Sequence, residues 1–321
     1  MSRGPGPMIA LVGVIGWAGL IWIGIGLYGT QPPTAGFDLE ILLRAGREVA
    51  AGRSPYDPAM VAGAAPVAER LFYSYPPLVA QAMSLVAGLP SALVFVAWDA
   101  AAVGGYLAIV ALLARRFGLA VRGRSIVLTA LALVPVLFPF AIGLLFGNLD
   151  VFFPSLFGLM LLAVLPAAAP ADRIAGGVST AIAGIAKLHP ASMGLWFLAR
   201  SPGWRGARRV FLVAVLGAVA LLGASLVVGG PQPWIDYLAV VRAGSGADLV
   251  DPRNGGPAAQ IALIVGGAGP PAEALARALL VPVTLGALAV TVIAAWRVRD
   301  AVDSLAWAAA ASQVILPVTC P

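Results

Sequence analysis

This sequence has very little with which to do redox, metal or nucleotide chemistry. Of its 321 residues one is a cysteine, Cys320, so neither an internal disulfide nor a cysteine-based metal cluster can form. One is a histidine, which leaves no HExxH and no paired-histidine metal signature. No P-loop and no dinucleotide fingerprint occurs, so a nucleotide energy source has no support. No metal and no cofactor is expected. Charge is scarce too: 11% of residues are charged against 60% hydrophobic, with a mean hydropathy of +0.95. A soluble domain with a polar surface is excluded, and the chain reads as an all-α, polytopic transmembrane helical bundle.

The charge that is present has one sign in excess, with 20 Lys and Arg against 14 Asp and Glu. The arginines gather as Arg115, Arg116, Arg122, Arg124 and again as Arg200, Arg205, Arg208, Arg209, in short stretches between apolar runs. That is the positive-inside pattern of a multi-pass protein, here of the plasma membrane, and not a nucleic-acid footprint. The expected partner is the lipid bilayer, with no nucleic acid.

Hydrophobicity from Met8 to Tyr28, with one arginine before it, predicts an uncleaved signal anchor that starts in the cytoplasm. The most polar region, 29–75, then forms the first outer loop. Within it Asp38 to Gly52 has helical periodicity, with Leu39, Leu42, Leu43, Val49 and Ala50 on one face. Glu40, Arg44, Arg47 and Glu48 lie on the other, with Glu40–Arg44 and Arg44–Glu48 spaced for i,i+4 pairs; this predicts an amphipathic helix lying on the membrane surface. Further apolar segments cover 77–90, 91–114, 126–146, 149–166, 174–186, 189–199, 210–229, 275–296 and 304–319. The total is about nine or ten membrane segments, several shorter than the roughly 17 residues of a perpendicular crossing and so half-helices or tilted pieces. Parity of the arginine loops requires either that 77–90 is re-entrant or that 115–124 breaks the rule. A second, late outer loop covers 230–272, and residues 1–321 make one domain. The chain breaks off at Leu316-Pro-Val-Thr-Cys-Pro321 inside an apolar stretch, as a fragment lacking C-terminal helices would.

The lone lysine and lone histidine, Lys187 and His189, share the segment Gly184-Ile-Ala-Lys-Leu-His-Pro190. An ionisable group at membrane depth is a functional-site hypothesis, weighed against a snorkelling lysine and a hydrogen-bonded core histidine. Other polar residues expected at the outer face are Asp38, Glu40, Tyr56, Asp57, Tyr75, Asn148, Asp150, Arg253 and Asn254. A carboxylate near cations at a membrane surface suits group transfer from an anionic lipid carrier: the cation stabilises a departing phosphate while the carboxylate takes a proton from the acceptor. Each residue also has a plain structural role open to it. Asp38 is placed to be a helix N-cap, Glu40 and Glu48 read as a solvated helix face, and Asp57 between Tyr56 and Pro58 as a turn residue.

The order of the motifs Phe37-Asp-Leu-Glu40, Ala51-Gly-Arg-Ser-Pro-Tyr-Asp57, Phe72-Tyr-Ser-Tyr-Pro-Pro77, Phe146-Gly-Asn-Leu149, Ile185-Ala-Lys-Leu-His-Pro190 and Arg253-Asn-Gly255 resembles glycosyltransferase family 87. The resemblance implies a GT-C-type bundle with its active site at the extracytoplasmic face, using polyprenyl-phosphate-mannose. It implies Asp38 as general base. Asn148 stands where the family often has Gln, and Asp150 near its usual Asn. The expected function is transfer of a hexose, mannose by resemblance, to a lipid-linked or cell-envelope glycan acceptor, with inversion; Lys187 and His189 are assigned to the donor phosphate. The alternatives are a secondary transporter built on broken helices, and a non-catalytic subunit of an envelope-assembly complex.

Overall fold

The computed structural model describes residues 6–30, 34–64, 72–119, 123–187, 189–244, 256–267 and 269–319, with side chains up to residue 314. Among the described residues every regular element is helical. In chain order they are α1 (Pro7–Tyr28), α2 (Phe37–Ala50), α3 (Pro58–Val61), α4 (Pro77–Ser84), α5 (Ser91–Arg116), α6 (Gly123–Leu133), α7 (Phe138–Phe146) and α8 (Phe153–Val164). There follow α9 (Pro170–Ala186), α10 (Ser192–Arg200), α11 (Arg205–Gly229), α12 (Gln232–Gly244), α13 (Pro257–Gly266), α14 (Pro270–Arg297) and α15 (Ala301–Thr319).

Four of these, α1, α5, α11 and α14, are each long and apolar enough to cross a membrane. A bent pair, a broken span or a re-entrant loop, joins them: Gly123–Val136 and α7 meet at 71°. Pro135 lies in the 3-10 turn before the break and Pro139 in the first turn after it, and proline both removes a backbone donor and crowds the preceding turn. Of the remaining apolar segments, α8 and α10 have 12 and 9 residues, too few for a perpendicular crossing, whereas α15 has 19. Segment 77–90 forms only the eight-residue α4, about 12 Å long and too short to cross. The expected loop 230–272 contains two helices, α12 and α13. Prolines in their first turns set the helical φ, and Tyr237 and Val240 of α12 are buried beside α2 residues.

The amphipathic helix forms as α2, but its apolar face meets protein and not lipid. Leu39, Leu42 and Leu43 are fully buried in one cluster with Tyr56, Tyr73, Met83, Val94 and Tyr237. Each such leucine contributes about 1.5–3 kcal/mol when withdrawn from water. The expected i,i+4 ion pairs do not form: Glu40 pairs with Arg47 and Glu48 with Arg53. Those partners lie seven and five residues away, because long side chains on an exposed face take whichever cation their neighbours leave accessible.

Gly46 lets α4 sit directly on α2. A Cβ there would lie 2.7 Å from the carbonyl carbon of Met83 and 2.8 Å from the amide nitrogen of Ser84. Backbone cannot give way as a side-chain tip can. Gly46→Ala should cost about 1–3 kcal/mol, the usual range for overpacking, read as a lower unfolding temperature in detergent. Gly104→Ala in α5, where nothing lies within 4 Å, should not lower that temperature, since alanine is the better helix former.

The ends of the bundle differ in chemistry. Arg116 forms an ion pair with Asp172 at the start of α9. Helix α9 then rises by about 25 Å to Lys187, and α10 descends to Arg200. The Arg200 guanidinium donates to the carbonyls of Ala295 (2.8 Å), Val298 (2.7 Å) and Arg299 (2.6 Å), capping α14. The arginine-bearing connections at 200–209 and 297–299 therefore meet at one end, away from Lys187.

Candidate functional site

The site is organised by one tight turn. Helix α7 ends at Gly147, whose φ of 68° is the left-handed conformation that closes helices. A Cβ at Gly147 would lie 2.6 Å from Cβ of Leu39, so only glycine lets this turn press against the first turn of α2. The Gly36 amide donates to the carbonyl of Leu145 at 2.9 Å and locks the two chain segments in register.

From Gly147 the chain runs through Asn148 into a 3-10 turn, Leu149–Phe152, that leads into α8. Asn148 closes that turn by accepting from the Asp150 amide through its side-chain oxygen at 2.8 Å. Its Nδ2 donates to Oδ2 of Asp38 at 2.7 Å. Two residues on, the Asp150 carboxylate holds the Lys187 ammonium, with Nζ 2.8 Å from Oδ1 and 2.9 Å from Oδ2. Lys187 sits just past α9, its backbone extended at φ −143° and ψ 133°; the Pro190 ring cannot be placed in a helix continuing past Ala186, four residues back. Residues separated in sequence by 110 and 37 positions thus form one polar chain, from Asp38 through Asn148 and Asp150 to Lys187.

Asp38 is not an N-cap. That position is Gly36, with a φ of 71°, and Asp38 lies inside the first turn with its carboxylate turned to Asn148. Burial pushes its pKa above the usual carboxylate value; the Asn148 hydrogen bond and the Lys187 charge oppose the rise, and the Asp150 charge adds to it. A raised pKa makes a stronger base, provided the pH keeps it ionised. Asn148→Ala removes the hydrogen bond that favours the ionised form, so the acid limb of any Asp38-dependent rate should move to higher pH. A pH–rate profile of the variant checks this.

The other expected site residues divide clearly. Tyr75 joins the cluster, its ring 5.7 Å from Lys187 Nζ. Tyr56 lies behind it, buried, donating from its hydroxyl to the Tyr75 carbonyl at 2.9 Å. Asp57 is exposed and caps α3, accepting from the Ala59 amide at 2.8 Å. Glu40 faces away, bound by Arg47 and by the Ser91 hydroxyl. Arg253 and Asn254 lie outside the described residues.

His189 is only 1% exposed, in the turn between α9 and α10, with its ring edge-on to Phe153 at 5.6 Å. Neither ring nitrogen has a hydrogen-bond partner among the described residues. Trp98, which sequence reasoning missed, donates from Nε1 to the Asn148 carbonyl at 3.5 Å and backs the turn from α5. Nothing in the local pattern around Trp98 distinguishes it from a lipid-facing aromatic.

The family model for glycosyltransferase family 87 matches residues 73–320, a range that includes the 147–150 turn, Lys187 and His189 and begins after Asp38. Searches of curated proteins and of solved structures give no match.

Proposed function

We propose a donor, a face and a mechanism for a chain that belongs to glycosyltransferase family 87 and is a multi-pass membrane glycosyltransferase. It moves a hexose, mannose in this reading, from a polyprenyl-phosphate carrier to a lipid-linked or cell-envelope glycan acceptor at the extracytoplasmic face of the plasma membrane. The single observation that carries this reading is the convergence of a half-buried carboxylate and a buried ammonium, Asp38 and Lys187, on opposite ends of one turn. A base on the acceptor side and a cation on the phosphate side are the two groups that a single displacement at an anomeric carbon requires.

Asp38 takes the proton from the attacking hydroxyl. Its Oδ2 is occupied by Asn148, which leaves Oδ1 for that proton. Lys187 meets the carrier phosphate as a point charge. His189 supplies an N–H to the leaving oxygen, and Tyr75 offers its ring to the Lys187 ammonium. The arginine end of the bundle, with Arg116 and Arg200, supports a cytoplasmic location for that end and an outward one for Asp38. The bend at Leu137 is a feature the transporter alternative would use, but membership of a transferase family favours catalysis.

Membranes carrying the chain, given radiolabelled polyprenyl-phosphate-mannose, should pass the label to a glycolipid or glycan fraction. Labelling from a nucleotide sugar, with none from the polyprenyl donor, would overturn the donor assignment.

A further inference from the structure

Lys187 and Asp150 are paired but unequally buried. The lysine side chain is 7% exposed and the aspartate 39%. An ammonium buried without an anion is costly, so a site waiting for an anionic ligand needs a counter-ion in the meantime. Asp38 does not serve, because its Oδ2 is held by Asn148 and it reaches Lys187 only through space. Asp150 does, and its half-open carboxylate can turn to water at small cost when something better arrives. A lysine ammonium, compact and with three rotatable donors, can exchange one anion for another without moving its backbone.

We propose that Asp150 is a stand-in for the donor phosphate: it holds the Lys187 ammonium while the site is empty and yields it to the phosphate when the polyprenyl-phosphate sugar binds. The inference rests on the donor reading above. It makes Asp150 a positioning residue that acts through Lys187, and it gives the exchange a consequence. Once released from Lys187, the Asp150 carboxylate is a bare negative charge near Asp38, which strengthens the base at the moment the donor is in place.

If Asp150 competes with the phosphate, removing its charge should tighten donor binding. In equilibrium binding of radiolabelled polyprenyl-phosphate-mannose to the full chain in nanodiscs, Asp150→Asn should lower Kd by roughly five- to tenfold, the release of a population tax on the competent state. Asp150→Ser should do the same, so the result does not hang on one variant's folding. The gain should vanish in a Lys187→Ala background, where there is no ammonium to compete for. Unchanged or weaker binding in both folded variants, beside normal wild-type binding, overturns the stand-in role and makes Asp150 a structural anchor. A folded wild type that does not bind the donor overturns the donor reading, and the stand-in role with it.

Discussion

Asp38→Asn is expected to lower the sugar-transfer rate by roughly 10²- to 10⁴-fold, the usual cost of losing a general base. The substitution is conservative in shape. An asparagine oxygen can still accept from Asn148 Nδ2, and a neutral amide avoids the desolvation that burial imposes on the carboxylate. The variant should therefore fold and bind donor, and fail only in proton removal. The wild-type rate should fall as the pH drops through the raised pKa of Asp38, because protonation removes the base, and Asp38→Asn should lack that limb. A steady-state assay across pH reads both effects. Near-normal turnover in the variant would reduce Asp38 to a first-turn carboxylate that favours the helix dipole.

Lys187→Ala should weaken donor binding on the order of 10²-fold, as expected when a buried cation that meets an anionic ligand is removed. Asp150, left without its ammonium, would add repulsion toward an anionic ligand. Lys187→Arg is an informative companion: its charge is kept, but a planar guanidinium does not reproduce the compact point charge of an ammonium, and only part of the affinity should return. Direct measurement of donor Kd separates this from chemistry. Unchanged Kd in Lys187→Ala, with reduced yield of folded protein, would assign the lysine to packing.

Much of this was legible residue by residue, and the part that was not has a physical reason. The α2 periodicity showed the helix to within a couple of residues, because a one-faced apolar pattern has few other ways to be satisfied. What covers that face was not legible, since lipid and protein present the same hydrocarbon; α4 packs on it, with Tyr237 and Val240 of α12 in the same buried cluster. Lys187 stood out as the lone lysine in an apolar stretch, but its partner did not, because Asp150 is 37 residues away and their meeting depends on how α8 and α9 pack. The N-cap alternative for Asp38 failed because the chain turns earlier, at Gly36, where the left-handed conformation suits glycine. Glu40, only two residues from Asp38, points to a different side of the helix, at about 100° per residue, and so falls out of the site. Asp57 looked like both a turn residue and a site residue; the turn reading is the one the geometry supports.

The most direct test of the central claim, a single displacement assisted by one base and one cation, is the anomeric configuration of the product. Two carboxylates lie in the cluster: Asp38, held by Asn148, and Asp150, held by Lys187 while the site is empty. A retaining mechanism would need a carboxylate as nucleophile and a covalent glycosyl intermediate. Determining the newly formed linkage by NMR, against the configuration of the sugar phosphate supplied, should show inversion. Retention would contradict the account, and would cast Asp38 or Asp150 as a nucleophile instead of a base and a counter-ion.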